Sequence, residues 1–221
     1  SFVSNQLQMA GGTLRTLGGN NSTLLLDDPN RGIQLTADSS FDVNAISKTM
    51  IISNQITGAA GQDLIKIGAG LMILGGSNDY LGATVVRQGT LAVGEEQNLG
   101  GNPATFAAAQ LLISNGATFR ALDSFTIDDS RRGVTLGFGG GLISVDADET
   151  LIISNTVAGI GSLTKVGDGT LILAAATNSY SGSLTRSTGI TTIAGGTLAI
   201  NNELKLGLLT NAGVAMVDNA L

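Results

Sequence analysis

The sequence predicts an all-β chain wound as a parallel β-helix, a solenoid of stacked coils. Three observations lead there. Apolar clusters are short, rich in Leu, Ile, Val and Thr, and bounded by Gly, Asn, Asp or Ser, which is the pattern of brief strands between tight corners. Aromatic residues make up 4% of the 221 residues and tryptophan is absent, whereas hydrophobic residues reach 43%, so the interior must be thin and filled by aliphatic side chains. The whole pattern also recurs after about a hundred residues, as stacked-repeat architectures do.

In the first half, strands are expected at 6–9, 13–15, 23–26, 32–36, 41–43, 49–53, 64–67, 71–74, 83–87 and 90–93. In the second half they are expected at 111–114, 118–121, 124–127, 133–136, 142–145, 150–154, 163–166, 170–173, 189–193 and 197–200. Only 104–110, with three alanines in a row, leans toward helix, and it is too short to stand alone. Strand-turn units at this spacing also suit a two-sheet sandwich. Very short strands, Gly and Asn corners and scarce aromatics favour the solenoid. At about 20–25 residues per coil the chain makes about nine or ten coils, a rod of roughly 45 Å at ~4.8 Å per coil.

The halves match segment by segment. Leu26-Asp-Asp-Pro-Asn-Arg-Gly-Ile-Gln-Leu35 returns 101 residues later as Ile127-Asp-Asp-Ser-Arg-Arg-Gly-Val-Thr-Leu136. Thr49–Asn54 returns as Thr150–Asn155, Gly89–Val93 as Gly196–Ile200, and Leu99-Gly100 as Leu206-Gly207. We read 1–221 as a single β-helix segment of two units, approximately 6–100 and 110–207, with a trailing stub at 208–221. Within Leu171-Ile172-Leu173, strand alternation turns Leu171 and Leu173 inward and Ile172 outward, and the repeat gives Met72, Leu74 and Ile73 the same places.

Composition removes several functions. A net charge of −6 with scattered lysines and arginines is no nucleic-acid footprint. No apolar run approaches the ~20 residues of a membrane-spanning helix. With no histidine or cysteine, zinc sites of the usual kind, His-dependent nucleophiles and disulfide frameworks are out. Neither end has a start or stop signal, and the chain reads as part of something longer.

Residues LTKVGDGTLIL…NSYSG…GGTLAI, preceded by RRGVTLGFGGGLISVDADETLIISN, resemble the autotransporter-associated β-strand repeat of large bacterial surface proteins. The likeness is strongest over 132–200 and weaker, though in register, over 31–93. It implies a right-handed parallel β-helix, export, a cell-surface location and a membrane contact made only through a translocator barrel outside this chain. It transfers no catalytic residue.

Four sets of residues invite a functional reading. Asp27-Asp28 and Asp128-Asp129 could bind calcium or act on a polysaccharide, but the Arg31 or Arg132 and glycine that follow read as an Asx-type turn with a local ion pair. Lys66 and Lys165, each just before a glycine turn, could bind anions, or their ammonium groups could satisfy turn carbonyls or a carboxylate such as Asp168. Tyr80 and Tyr180, the only tyrosines, occupy Asn-x-Tyr-x-Gly corners, where a ring could stack on a sugar or cover a strand end. Gly137–Gly141 and Gly75-Gly76 lack the Lys-Ser/Thr and the helix of a phosphate loop. We assign no catalytic, cofactor-binding or metal residue, expect no cofactor and no enzyme activity, and read the chain as a structural and adhesive rod. The partners expected are adjacent repeats at the β-helix ends, surface glycans and host or neighbouring cells. The alternatives are a filament protomer stacked end to end and a polysaccharide-acting β-helix enzyme.

Overall fold

Because each strand is only a few residues long, its backbone groups can be satisfied only by the coil before and the coil after. The computed structural model describes residues 3–19, 21–182, 191–201, 206 and 215–216. In it, every described strand pairing is parallel. The chain is a parallel β-solenoid of about eight turns with three faces. One face is an eight-stranded sheet running from Thr13–Arg15 to Ser179–Tyr180. A second is a nine-stranded sheet from Thr23–Leu26 to Ala215–Met216. The third is split into a three-stranded sheet (Val3–Ala10, Arg31–Ala37, Ile56–Gly58) and a four-stranded sheet (Phe125–Ile127, Thr150–Ile153, Thr170–Leu173, Thr197–Ala199).

The nine strands stacked on the second face span about eight turns and match the low end of the nine or ten coils expected, because corner loops lengthen several coils. The register runs 19 residues from Leu71 to its partner Thr90 but 28 from Thr90 to Thr118. At ~4.8 Å per coil, eight turns make a rod of about 38 Å. Of the stub, only Ala215–Met216 is described, and it pairs with Thr192–Ile193. The expected strand at 189–193 is seen as Thr191–Ile193, its first two residues lying outside the described ones.

Alternation controls the interior. Leu171 and Leu173 are buried while Ile172 between them is half-exposed, and Met72 and Leu74 flank Ile73 in the same way. The same period turns Lys66 and Lys165 inward beside Leu64 and Leu163. The largest buried rings are Tyr80, Tyr180, Phe41 and Phe119, and the remaining core is almost wholly aliphatic.

The helical leaning at 104–110 is overridden. Ala107–Ile113 is a strand, because Thr84–Val86 on one side and Arg132–Leu136 on the other offer it a ladder that an isolated turn of helix cannot match. Among the described strands of three or more residues, two escape the sequence pattern, Ile56–Gly58 and Val157–Gly159. Each has one inward side chain, too few to show a period. A buried asparagine starts each of them: Ile56 N donates to Asn78 Oδ1 and Val157 N to Asn178 Oδ1, both at 2.8 Å.

Corresponding strands of the two halves do not lie on the same face. Leu64–Ile67 is in the eight-stranded sheet, whereas its copy Leu163–Val166 is in the nine-stranded one. Leu71–Leu74 is in the nine-stranded sheet and its copy Thr170–Leu173 in the four-stranded one. The second unit is thus turned by one face, a third of a turn. The cause is the segment after Thr90–Val93, which adds a side that is no strand: a 3₁₀ turn, Glu96–Leu99. This side stacks on residues 78–81, with Asn78 N donating to Gln97 O at 3.1 Å and Gly101 N to Tyr80 O at 2.9 Å. On its other side Asp129 N reaches Glu96 Oε1 at 3.3 Å, so the segment joins the three-stranded to the four-stranded sheet. Each unit winds about four and a third turns.

Glycines mark where coils approach most closely. A Cβ on Gly133 would run into the backbone of Ala108, and one on its copy Gly32 into Ser4. At Gly68 and Gly167 the backbone turns with φ of 76° and 74°, a region that side chains disfavour. We expect Leu171→Ala to destabilise the chain by about 2–5 kcal/mol and Ile172→Ala by less than about 1 kcal/mol, measured by urea denaturation. Equal costs would refute the inward–outward assignment.

Candidate functional site

The lysines and tyrosines singled out in the sequence are drawn into the solenoid wall. Lys66 and Lys165 are fully buried. The Lys66 ammonium donates to the carbonyls of Ile67, Gly68 and Gln88 at 2.8, 2.7 and 3.1 Å. Lys165 repeats this with Val166, Gly167 and Gly195 at 2.7, 2.8 and 3.2 Å. Three donors meet three acceptors, and each ammonium pins a glycine turn to the next coil. Burial lowers both ammonium groups from 10.5 to about 8, opposed by the charge of Asp42 near Lys66 and of Asp168 near Lys165. Of the two readings, satisfied turn carbonyls is the one realised, and no nitrogen is left to face an anion.

Tyr80 and Tyr180 are also fully buried, which removes them as sugar platforms. The Thr84 hydroxyl donates to Leu99 O at 3.2 Å, so the Tyr80 hydroxyl donates to Thr84 Oγ1 at 2.7 Å. Tyr180, Thr191 and Leu206 O form the same relay at 2.7 and 3.1 Å. Burial pushes both phenols from 10.0 to about 12.

The aspartate pairs sit in corner loops. Asn30 N donates to Asp28 Oδ1 at 3.0 Å and Arg131 N to Asp129 Oδ1 at 3.1 Å, so both are Asx turns as expected. The expected local ion pair is present in one copy only. Arg31 Nε meets Asp28 Oδ2 at 3.0 Å on the surface, whereas Arg132 turns inward to Glu96 Oε1 at 3.1 Å. Arg132 also donates to Leu99 O and Gly100 O, each at 2.9 Å, and its side chain is 1% exposed. Burial pushes the Glu96 carboxyl above its usual range, against the backbone N–H groups of Asp128 and Asp129 and the Arg132 charge. Among the described residues no group of three acidic side chains is placed to hold a metal ion.

An open groove of about 740 Å³ lies on the outside of the nine-stranded sheet, lined by Thr90, Thr118, Arg120, Ser144, Glu149 and Asp168 among others. Its arginine is neutralised: Arg120 Nε and Nη2 donate to the two oxygens of Asp146 at 2.6 and 2.8 Å. The Gly137-Phe138-Gly139-Gly140-Gly141 run forms the turn into Gly141–Val145.

A family model described as the passenger-associated-transport-repeat matches residues 64–93 and 163–200. Both matches begin at the strand carrying the buried lysine and run through the tyrosine corner. An autotransporter adhesin of Brucella suis biovar 1 (strain 1330), named BmaC, is 40% identical to the chain over 189 residues. The alignment covers 80% of this chain and 5% of the adhesin. The chain carries autotransporter passenger repeats. No solved structure matches it.

Within each passenger repeat the lysine cage, the glycine turn and the tyrosine relay are therefore parts of the stacking unit. Sequence reasoning missed the Glu96–Arg132 clamp, because the two residues lie 36 apart and meet only through the turned second unit. One signal was available: Glu96, Leu99 and Gly100 recur together as Glu203, Leu206 and Gly207.

The buried groups set an alkaline stability profile. Between about pH 8 and 10 the unfolded chain, with lysines near 10.5, holds more protons than the folded one, so stability rises with pH. Above pH 10 unfolded tyrosines ionise first, and stability falls toward pH 12. Thermal melts from pH 7.5 to 11 should show this maximum, and the Lys66→Met/Lys165→Met variant should lose the rising limb. A profile that falls steadily from pH 7.5 would contradict the lysine assignment.

Proposed function

We propose that this chain is a spacer segment of an exported bacterial surface protein, a rod that holds adhesive surface away from the cell and contributes faces of its own to contact. The observation that carries it is the stack of passenger repeats, whose buried lysines and tyrosines are spent on joining coils. The 40% identity to a region of an adhesin autotransporter supports the adhesive setting. The part the groove plays is contact: a shallow, hydroxyl-lined, acidic surface suits hydrogen bonding to a glycan or a neighbouring cell better than bond cleavage. A polysaccharide-cleaving enzyme would need unrepeated acids and bases free to reach substrate. The arginine of this groove is already paired, and an end-to-end filament finds no support in either comparison.

The test uses antibodies raised against the purified chain on intact, non-permeabilised cells that express the parent protein. Labelling without permeabilisation is expected, together with reduced adhesion to a host monolayer when the segment is deleted and the protein still reaches the surface. Labelling that requires permeabilisation would sink the surface assignment, and unchanged adhesion would sink the adhesive one.

A further inference from the structure

The two copies of the Asp-Asp-x-x-Arg-Gly corner are built alike yet end in different surroundings. In both, an asparagine of the next coil staples the loop: Asn54 Nδ2 donates to Asp28 O and Arg31 O at 2.6 Å each, and Asn155 Nδ2 to Asp129 O and Arg132 O at 2.7 Å each. In the second copy the segment Glu96-Gln97-Asn98-Leu99-Gly100 lies against the loop. It supplies the carboxylate and two carbonyls that take up the Arg132 guanidinium. It also helps bury Ile127 completely. In the first copy the Arg31 side chain is 66% exposed, and among the described residues its guanidinium meets Asp28 alone. Leu26, the counterpart of Ile127, is only half-buried. Between them runs a cleft of about 380 Å³ lined by Leu7, Leu25, Leu26, Asp28, Arg31 and Asn54.

We propose that this cleft is an inter-repeat joint, shaped to receive the closing Glu-x-x-Leu-Gly segment of a preceding passenger repeat in the same polypeptide. The occupant is read from the copy in which it is seated. Its glutamate would take the Arg31 Nε, its Leu and Gly carbonyls the two terminal nitrogens, and its leucine would cover Leu26. Charge and shape agree: the cleft offers a cation with spare donors beside exposed aliphatic surface, and the segment offers a carboxylate beside a leucine. The segment belongs to the unit's own grammar, since Thr84 Oγ1 donates to Leu99 O and Thr191 Oγ1 donates to Leu206 O in the same way. Because the seated segment adds one side to the solenoid, each such joint would turn the next repeat by one face. Three repeats would then bring the same surface back to the same side. The joint is independent of whether the surface of the rod adheres to anything.

The test joins a second copy of residues 1–104 ahead of the chain, which gives Val3 the place that Ala107 has in the second copy, so that Arg31 meets the added copy's Glu96. Hydrogen exchange is followed at 23–33. We expect these amides to slow at least about tenfold in the extended chain and to lose most of that gain on Arg31→Met or on Glu96→Gln in the added copy, with no further loss when both are made. In the present chain Arg31→Met should leave exchange at 23–33 within about twofold, while Arg132→Met speeds exchange at 125–134 at least tenfold in either chain. Either of two results would overturn the proposal: protection in the extended chain that is indifferent to both substitutions, or no added protection at all.

Discussion

Parallel stacking of very short strands is the constraint on which everything else in this chain depends. A strand of three or four residues has no stability of its own, and its peptide groups find partners only in the coils on either side. Each column must therefore keep its inward positions in line from coil to coil. One apolar side chain every second residue is enough to fill so narrow an interior. That is why leucine, isoleucine and valine suffice, and why the few large rings are used sparingly.

The polar groups inside obey the same geometry. A lysine that falls on an inward position cannot reach solvent, so its ammonium is spent on the carbonyls of a glycine turn whose own N–H and C=O groups would otherwise be short of partners. The two tyrosines reach a threonine hydroxyl that in turn caps a carbonyl of the next side. Asparagines do this at corners with both ends of the amide. These groups fasten the places where the chain changes direction, while the aliphatic columns hold the straight runs. Charge is buried here at a cost in desolvation, which is why the lysines are easily deprotonated and the phenols hard to ionise.

The extra side carried by Glu96–Leu99 changes how a repeat presents itself. A unit of a whole number of turns would show an identical surface along one edge of the rod. A unit of about four and a third turns winds its surface around the axis instead. In such a rod equivalent surfaces of successive repeats face different directions around the axis. The buried Arg132 and the half-buried Glu96 hold that step in place. Breaking one partner would leave a charge stranded beside the core, which costs more than the pair itself contributes.

Much of this could be read from residues alone. Period-two burial at 71–74 and 170–173, the glycine and asparagine corners, the two-unit repeat and the passenger-repeat resemblance all follow from local pattern, because one coil samples nearly every interaction the rod contains. Local pattern also left the lysines with turn carbonyls as one of two readings. It could not say that the tyrosines are buried, since whether a corner ring points in or out depends on the coil stacked over it. It could not find Ile56–Gly58 or Val157–Gly159, whose strand character comes from neighbours and not from their own three residues. And it placed Arg132 with the adjacent aspartates, where sequence proximity puts it. Only the stacked structure decides that Arg132 serves Glu96 and that the second unit is turned by one face, because both depend on how many sides the chain makes before it returns to the same column.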